Sequence, residues 1–281
     1  ALPISSATSA TDSAASATAS AASATAAYNN AVAQSGVASY KGLSVVSSAG
    51  AVTVLVSCQE ATLRNIYTDH PVFLKNINLT CDISTSGAGG IESGTAWLVN
   101  RWYALWLIYD GTTVSTVLSN SATSPNMPSG FTHALRIGWV KTNSTNKFVI
   151  PFMQNDNEVQ WTNTPSYPLQ KIATGVQGNV ATPTLVTVNV RSTSANNVGL
   201  CPSTAIEVRL HISWSSSTTM VSPNTDYGNQ TSTTNQPLVC ASFSGSHGAI
   251  IQGMFLESNN VHLASDGASN YVAVAGWRDT R

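Results

Sequence analysis

The residue types that most often carry out chemistry in enzymes are present in this chain, but they are widely separated along it. The histidines show no HxH, HExxH or His–Cys spacing of the kind that metal sites and metalloproteases use, and they fall at His70, His133, His211, His247 and His262. No GxSxG, GxGxxG or P-loop motif is found. We therefore predict no catalytic residue, no metal site and no cofactor.

The cysteines are equally scattered, at Cys58, Cys81, Cys201 and Cys240. None forms a CxxC motif, so the spacing typical of a zinc site is absent. We expect buried free thiols. Cys58 and Cys81 are the only two that lie close enough in the chain to suggest neighbouring strands.

Carboxylates are the other residues that could be catalytic, because glycosidic cleavage uses two of them. Two pairs are close in sequence, Glu60 with Asp69 and Asp156 with Glu158. The second pair falls at a predicted hairpin tip, and we interpret its charges as solvated turn residues. The surrounding NDNE also lacks the ligand series of a calcium loop.

Aromatic side chains indicate a different chemistry, since an exposed ring can stack on the apolar face of a sugar while amides and hydroxyls bind its oxygens. Trp102, Tyr103 and Trp106 belong to a strand that is apolar on both faces, so we interpret them as core residues. Tyr167 and Tyr227 lie in polar loops. These two are the candidates for contact with a glycan.

The bulk composition excludes several classes of protein. The 281 residues include 12 basic and 13 acidic side chains, without the basic footprint that nucleic-acid binding requires. The runs WLVNRWYALWLIY and GAIIQGMFL are too short or too polar to span a bilayer. We therefore expect no membrane insertion, and because no signal peptide opens the sequence, we expect no export through the Sec pathway. Because the first residue is Ala1, we expect that a Met or a longer upstream segment has been removed.

Residues 7–34, ATSATDSAASATASAASATAAYNNAVAQ, repeat with a period of seven. Alanine, with one tyrosine, recurs at alternating spacings of three and four, as a coiled-coil seam requires, at Ala7, Ala10, Ala14, Ala17, Ala21, Ala24, Tyr28 and Ala31. One buried methyl contributes only about 0.8 kcal/mol, whereas ordering one residue costs about 1–2 kcal/mol. We therefore predict a stalk or virion anchor over residues 1–40, helical from residue 7 to about residue 35, that needs an oligomeric head or a socket in a larger assembly to bring its copies together.

From Lys41 onward, β-branched and aromatic runs alternate with Gly, Pro, Asn and Asp. This pattern predicts an all-β head, a sandwich or barrel, over residues 41–281. A hairpin turn is predicted at Asp110-Gly111, and further turns between strands are predicted at 143–146 and 155–157. The predicted strands are 51–57, 72–84, 96–119, HALRIGWVKT, KFVIPFMQ, EVQWT, 184–190, 205–214, QPLVCASF, GAIIQGMFL and NYVAVAGW.

The stretch WYALWLIYDGTTVSTVLSNSATSPNMPSGFTHALRIGWVKTN resembles a module of tailed-bacteriophage and prophage proteins. In that module a Trp-Tyr strand, a Tyr-(Asp/Asn)-Gly turn, an LS.S.T.P.MPSG segment and an R.G.V.T segment follow in this order. The stretches VSPNTDYG and ESNNVHLASDGASNYVAVAGWRD are similar to its closing portion, so the resemblance spans roughly residues 43–279. It implies a fibre-like or head-fibre-like virion appendage, often a homotrimer, behind an Ala/Ser/Thr-rich stalk.

We therefore expect a structural component of a bacteriophage virion, a trimeric fibre or spike attached through its N-terminal helix. Its partners would be other copies of itself and other virion proteins, and it would be assembled in the host cytoplasm. The alternative is a receptor-binding protein that recognises a host-surface glycan. A third reading is a polysaccharide depolymerase, for which no carboxylate pair stands out. The sequence leaves the choice between capsid and tail open.

Overall fold

The structure is a computed structural model, and it describes residues 16–18, 20, 39–168, 170–181, 185–191, 199–228, 232, 234–237 and 239–280. It confirms that the chain is mainly β. The strands are β1 Ser39–Lys41, β2 Ser44–Ser47, β3 Thr53–Asn65, β4 Pro71–Asp82, β5 Gly90–Ile91, β6 Trp102–Tyr109, β7 Val114–Ser119, β8 His133–Lys141, β9 Phe152–Asn155, β10 Glu158–Trp161, β11 Gln170–Thr174, β12 Val186–Asn189, β13 Ala205–Ser222, β14 Val239–Phe255, β15 Asn260–Ser265 and β16 Tyr271–Asp279.

All of these strands belong to one hydrogen-bonded sheet. Its main path runs β12-β15-β13-β16-β10-β9-β2-β3-β8-β6-β7-β5, and β1, β4, β11 and β14 pair with strands on this path. The short β5 runs parallel to β7, and the sheet is therefore mixed. Two long strands organise it: β3 pairs along its length with β4, and β13 pairs with β14.

The long strand β3 joins two parts of the sheet. One of its edges pairs with β4, while the other pairs in turn with β2, β1 and β8. From β2 the sheet continues through β9, β10 and β16, and from β8 it continues through β6 and β7. These two parts face each other, because the Trp102 ring from β6 contacts the tryptophan rings of β10 and β16.

Four tryptophans form the centre of this interface. The ring centroids of Trp102 and Trp277 are 5.5 Å apart, those of Trp161 and Trp277 are 4.9 Å apart, and Trp139 meets Trp102 edge to face at 6.4 Å. All four residues are buried. Edge-to-face and tilted pairs of this kind contribute about 0.5–1.5 kcal/mol each beyond the area they bury, so this cluster is a major source of stability.

The predicted core strand and the turns predicted at Asp110-Gly111 and at 155–157 are confirmed. Trp102, Tyr103 and Trp106 are buried. β6 and β7 flank the Asp110-Gly111 turn, where Gly111 has a φ of +104°, a value that glycine adopts without strain. β9 and β10 flank the turn at 155–157. The strand that was predicted to begin at residue 96 and to turn at Asp110-Gly111 begins only at Trp102, because residues 96–101 form a loop.

The predicted coiled-coil stalk is not supported by the structure. Of residues 7–34 it describes only 16–18 and 20, which are helical and exposed. So few residues do not establish a heptad seam. Ala17 is the seam residue among them, and the other predicted seam positions lie outside the described residues: Ala7, Ala10, Ala14, Ala21, Ala24, Tyr28 and Ala31. Within the described part of the chain, no helix has the length and apolar character to cross a membrane.

Candidate functional site

An open groove of about 440 Å³ lies at one end of the sheet, and we call it the Tyr167 groove. Three separate segments form it: the turn between β2 and β3, the connection between β8 and β9, and the segment that follows β10. Its volume falls in the range typical of ligand-binding pockets. The lining residues are Ala49, Gly50, Asn143, Thr145, Asn146, Phe148, Ser166 and Tyr167.

The connection between β8 and β9 is held by its first asparagine. The Asn143 side-chain oxygen accepts hydrogen bonds from the backbone N–H groups of Thr145, at 3.3 Å, and Asn146, at 3.0 Å. Asparagine favours such turns because its side chain mimics a backbone carbonyl. The Asn143 N–H also donates to the Phe148 carbonyl at 2.8 Å. The turn is therefore fixed on both sides, and its outward groups keep defined positions.

Tyr167 is held just as firmly on the opposite wall. Its N–H donates to the Thr164 carbonyl at 3.0 Å, and the Thr164 N–H donates to the Tyr167 carbonyl at 2.9 Å. The Asn143 amide donates to the Tyr167 hydroxyl at 3.4 Å. The ring is half-buried against the core and lines the groove with its remaining surface. An aromatic ring fixed in this way loses little entropy when a ligand stacks on it.

Several groups that line the groove are available to a ligand. Thr145 and Ser166 are exposed, and their hydroxyls make no hydrogen bond to another described residue. The Asn146 side-chain oxygen accepts from Asn143, which leaves its amide N–H groups available. The groove thus combines an aromatic face with hydroxyl and amide groups, the combination that binds the apolar and polar faces of a sugar ring.

No charged side chain lines the Tyr167 groove in the described part of the chain. The cation nearest in sequence is Lys147, whose ammonium lies 5.5 Å from the ring centroid of Trp97. The Trp97 ring is itself fixed, because its N–H donates to the Lys147 carbonyl at 3.0 Å. Lys147 is therefore engaged in a cation–π contact beside the groove.

The groove lies at the end of the sheet opposite to the point where β1 begins. In the ladder between β1 and β3, Ser39 pairs with Thr62. The groove is lined by Ala49 and Gly50, in the turn that leads into Thr53. Between Thr62 and Thr53 the strand advances by about 30 Å, at about 3.3 Å per residue. The segment that precedes Ser39 and the groove are therefore separated by most of the length of β3.

Of the two tyrosines predicted from the sequence, only Tyr167 lines this groove. Tyr227 lies half-buried in the loop after β13 and is not part of the groove. The groove residues Thr145, Asn146 and Ser166 were missed by the sequence analysis. Their signal was weak: an Asn-Ser-Thr-Asn turn and a Ser beside the predicted tyrosine.

The carboxylates that could have formed catalytic pairs have other partners. Asp156 accepts a hydrogen bond from the Leu43 N–H at 3.1 Å, and Glu158 forms an ion pair with Arg209. Asp69 forms an ion pair with Arg64 at 2.5 Å. Glu60 pairs with Lys75 in the ladder between β3 and β4, so it is not beside Asp69.

Three of the described histidines make separate contacts. His133 packs edge to face on Tyr109, and burial lowers the pKa of its imidazole. His211 stacks on Tyr271, and His262 shares a hydrogen bond with Thr187 at 3.2 Å. Among the residues that the structure describes, no group of three or more His, Cys, Asp or Glu could hold a metal ion.

Cys58, Cys81 and Cys201 are buried free thiols. In the ladder between β3 and β4, Cys58 lies opposite Ile77 and Cys81 lies opposite Val54, so the two cysteines are not neighbours. Burial raises the pKa of Cys81 to about 12, and it also raises the pKa of Cys201. The side chain of Cys240 is outside the described part of the structure.

Lys141 was also missed, and it is an unusual feature of the core. Its side chain is 2% exposed, and its ammonium has no hydrogen-bond partner among the described residues. The ammonium lies 5.2 Å from the centroid of the Trp102 ring. Burial lowers the pKa of Lys141 to about 8.

Comparison with protein-family models gave no match, and comparison with curated protein sequences gave none either.

Proposed function

We propose that this chain is a component of a bacteriophage virion appendage and that its β head contacts host-surface carbohydrate through the Tyr167 groove. The observation that carries this proposal is the position of the groove, about 30 Å along β3 from Ser39. A head held through its N-terminal segment would present the groove outward, toward whatever surface the appendage meets.

The chemistry of the groove supports carbohydrate as the ligand. The Tyr167 ring supplies an apolar face, and Thr145, Asn146 and Ser166 supply neutral hydrogen-bonding groups around it. Both walls are fixed by turns that the backbone and Asn143 stabilise. A rigid site loses less entropy on binding than a mobile one, so even a small groove can bind a sugar measurably.

We further propose that residues 7–34 join three copies of the chain and attach them to the virion. The heptad spacing of alanine in this segment supports the proposal. Three heads on one stalk would also compensate for a weak individual site, because linked sites can raise the overall avidity by about 10²–10⁴. The chain has a formal net charge of only -1, with 12 basic and 13 acidic side chains, which is consistent with binding that does not depend on long-range electrostatic attraction.

The proposal is tested by the binding of the full-length chain to an array of bacterial surface glycans, followed by titration of the best ligand. Tyr167→Ala should weaken binding tenfold or more, since loss of a central aromatic contact costs about 1.4 kcal/mol or more. Tyr67→Ala is the matched control. Tyr67 is 75% exposed and lies in the turn between β3 and β4, at the opposite end of the sheet.

Three results would contradict the assignment of the groove. They are no glycan binding by the wild-type chain, equal binding by the Tyr167→Ala variant, and an equal loss in the Tyr67→Ala control. No glycan binding by the wild-type chain would favour an appendage with a purely structural role. Circular dichroism of both variants should match the wild-type spectrum, because neither side chain belongs to the fully buried core.

A further inference from the structure

The groove also indicates which class of sugar it can accept. Every described side chain that lines it is uncharged: two asparagines, two hydroxyl residues, two aromatic residues, one alanine and one glycine. The polar side chains among them donate and accept neutral hydrogen bonds. No guanidinium or ammonium from the described residues lines the groove, although cationic side chains are the usual partners of a bound carboxylate.

A carboxylate that entered this groove would lose part of its hydration without gaining a cationic partner. Such a burial is unfavourable, because water solvates an ion more strongly than neutral hydroxyl and amide groups do. Lys147 does not relieve this cost where it stands, since its ammonium lies over the Trp97 ring. A neutral hydroxymethyl group carries no such penalty and can exchange its water for Thr145, Asn146 or Ser166.

We infer that the Tyr167 groove selects uncharged hexose units and discriminates against the corresponding uronic acids. This inference rests on the proposed function and narrows it to one class of ligand. The two sugars differ only at C6, where one has a hydroxymethyl group and the other a carboxylate. The comparison therefore isolates the effect of charge from that of ring shape.

The experiment uses the full-length chain and two sets of tetrasaccharides. One set contains glucose, galactose or mannose, and the other contains the same sugars with one unit oxidised to the uronic acid. Binding is measured by calorimetry at physiological salt. We expect the neutral member of the best-bound pair to bind at least tenfold more tightly than its acidic counterpart.

A charge introduced into the groove should reverse this preference. Ser166 is exposed in the groove, so Ser166→Lys places an ammonium there. This variant should reduce or reverse the tenfold difference in affinity between the neutral and the acidic tetrasaccharide. Ser57→Lys is the matched control, because it adds the same charge at an exposed position on β3 that does not line the groove. Ser57→Lys should leave the difference in affinity between the two tetrasaccharides unchanged.

The outcomes separate the two proposals. If the wild-type chain binds the acidic tetrasaccharide as tightly as the neutral one or more tightly, the inference fails while carbohydrate binding stands. The inference is also overturned if Ser166→Lys leaves the difference in affinity between the two tetrasaccharides unchanged, or if Ser57→Lys changes it by the same amount. The discrimination would then arise outside the groove. If the wild-type chain binds neither set and no glycan on the array, the proposed function itself fails.

Discussion

Replacement of Lys141 by methionine should stabilise the protein at neutral pH. Lys141 lies on β8 within the tryptophan cluster, and its ammonium has no hydrogen-bond partner among the described residues. Methionine has a similar length and no charge, so Lys141→Met keeps most of the contacts of the side chain. It removes only the group whose burial is unfavourable.

The size of the effect follows from the pKa of Lys141, which burial lowers from 10.5 to about 8. A difference of about 2.5 pKa units corresponds to a penalty of about 3 kcal/mol when the folded protein must hold the charged form. The cation–π contact with Trp102 offsets about 0.5–2 kcal/mol of it. The desolvation cost is therefore larger, and we expect Lys141→Met to gain about 1–3 kcal/mol at pH 7.

The sign of the pH dependence is also determined. Between pH 8 and 10.5 the unfolded chain holds the Lys141 proton while the folded chain has released it, so the wild-type stability should rise with pH across this window. Below pH 8 the penalty is fully present. Above pH 10.5 both states are neutral at this residue, and the advantage of Lys141→Met should disappear.

The assay is urea unfolding of the wild-type and Lys141→Met proteins from pH 6 to pH 11, followed by tryptophan fluorescence. Lys147→Met serves as the control, because Lys147 lies over a tryptophan ring but is only half-buried. We expect that control to change the free energy of unfolding by less than about 0.5 kcal/mol. A Lys141→Met protein that is less stable at pH 7, or whose advantage does not vary with pH, would refute the argument.

Two further predictions concern the loops and the stalk. Glu92 is buried and accepts hydrogen bonds from the Thr95 hydroxyl at 2.8 Å and the Asn126 N–H at 2.8 Å. Glu92→Ala should therefore lower the free energy of unfolding by about 2–4 kcal/mol, as measured by urea titration. A loss below about 1 kcal/mol would contradict this structural role of Glu92. A triple variant in which Ala14, Ala17 and Ala21 are each replaced by Glu should convert the proposed trimer to monomers, as measured by light scattering. The strand signal in circular dichroism should not change. An unchanged molecular mass would argue against a packed seam.

The elements that sequence reasoning predicted well are those fixed by local chemistry. The Asp110-Gly111 turn needs a residue that tolerates positive φ, and Gly111 supplies it. The burial of Trp102 and Trp106 follows from apolar residues on both faces of one strand. Each of these signals lies within a few residues, so it is visible without knowledge of the rest of the fold.

The prediction was wrong where distant pairing overrides local preference. Two separate strands were predicted within residues 236–256, on either side of a short Gly- and Ser-rich stretch. The structure has the single strand β14, which pairs with β13 along its length. The strand predicted over 205–214 likewise continues to Ser222 through a polar stretch. Backbone pairing with a long neighbour therefore decides the conformation of residues whose own strand propensity is weak.

The groove was beyond sequence reasoning for the same reason. Its walls come from residues near 50, near 145 and near 167. These residues meet because β2, β8 and β10 end, and β3 and β9 begin, on the same side of the sheet. Lys141 is a partial exception. It shares a strand face with Trp139, a relation that the period of two already indicates, so its inward position could have been predicted once Trp139 was assigned to the core.

The neutral groove and the multi-copy stalk are physically linked proposals. A site without charges or metal ligands gains little from electrostatics, so one copy of the Tyr167 groove would release its ligand readily. Several copies held by one stalk would rebind before all of them dissociate, because the linked sites act at a high effective concentration. Separated heads should then retain the sugar preference of the assembled protein but bind a glycan-coated surface much less tightly. Equal surface binding by monomers and assembled copies would show that each head acts alone.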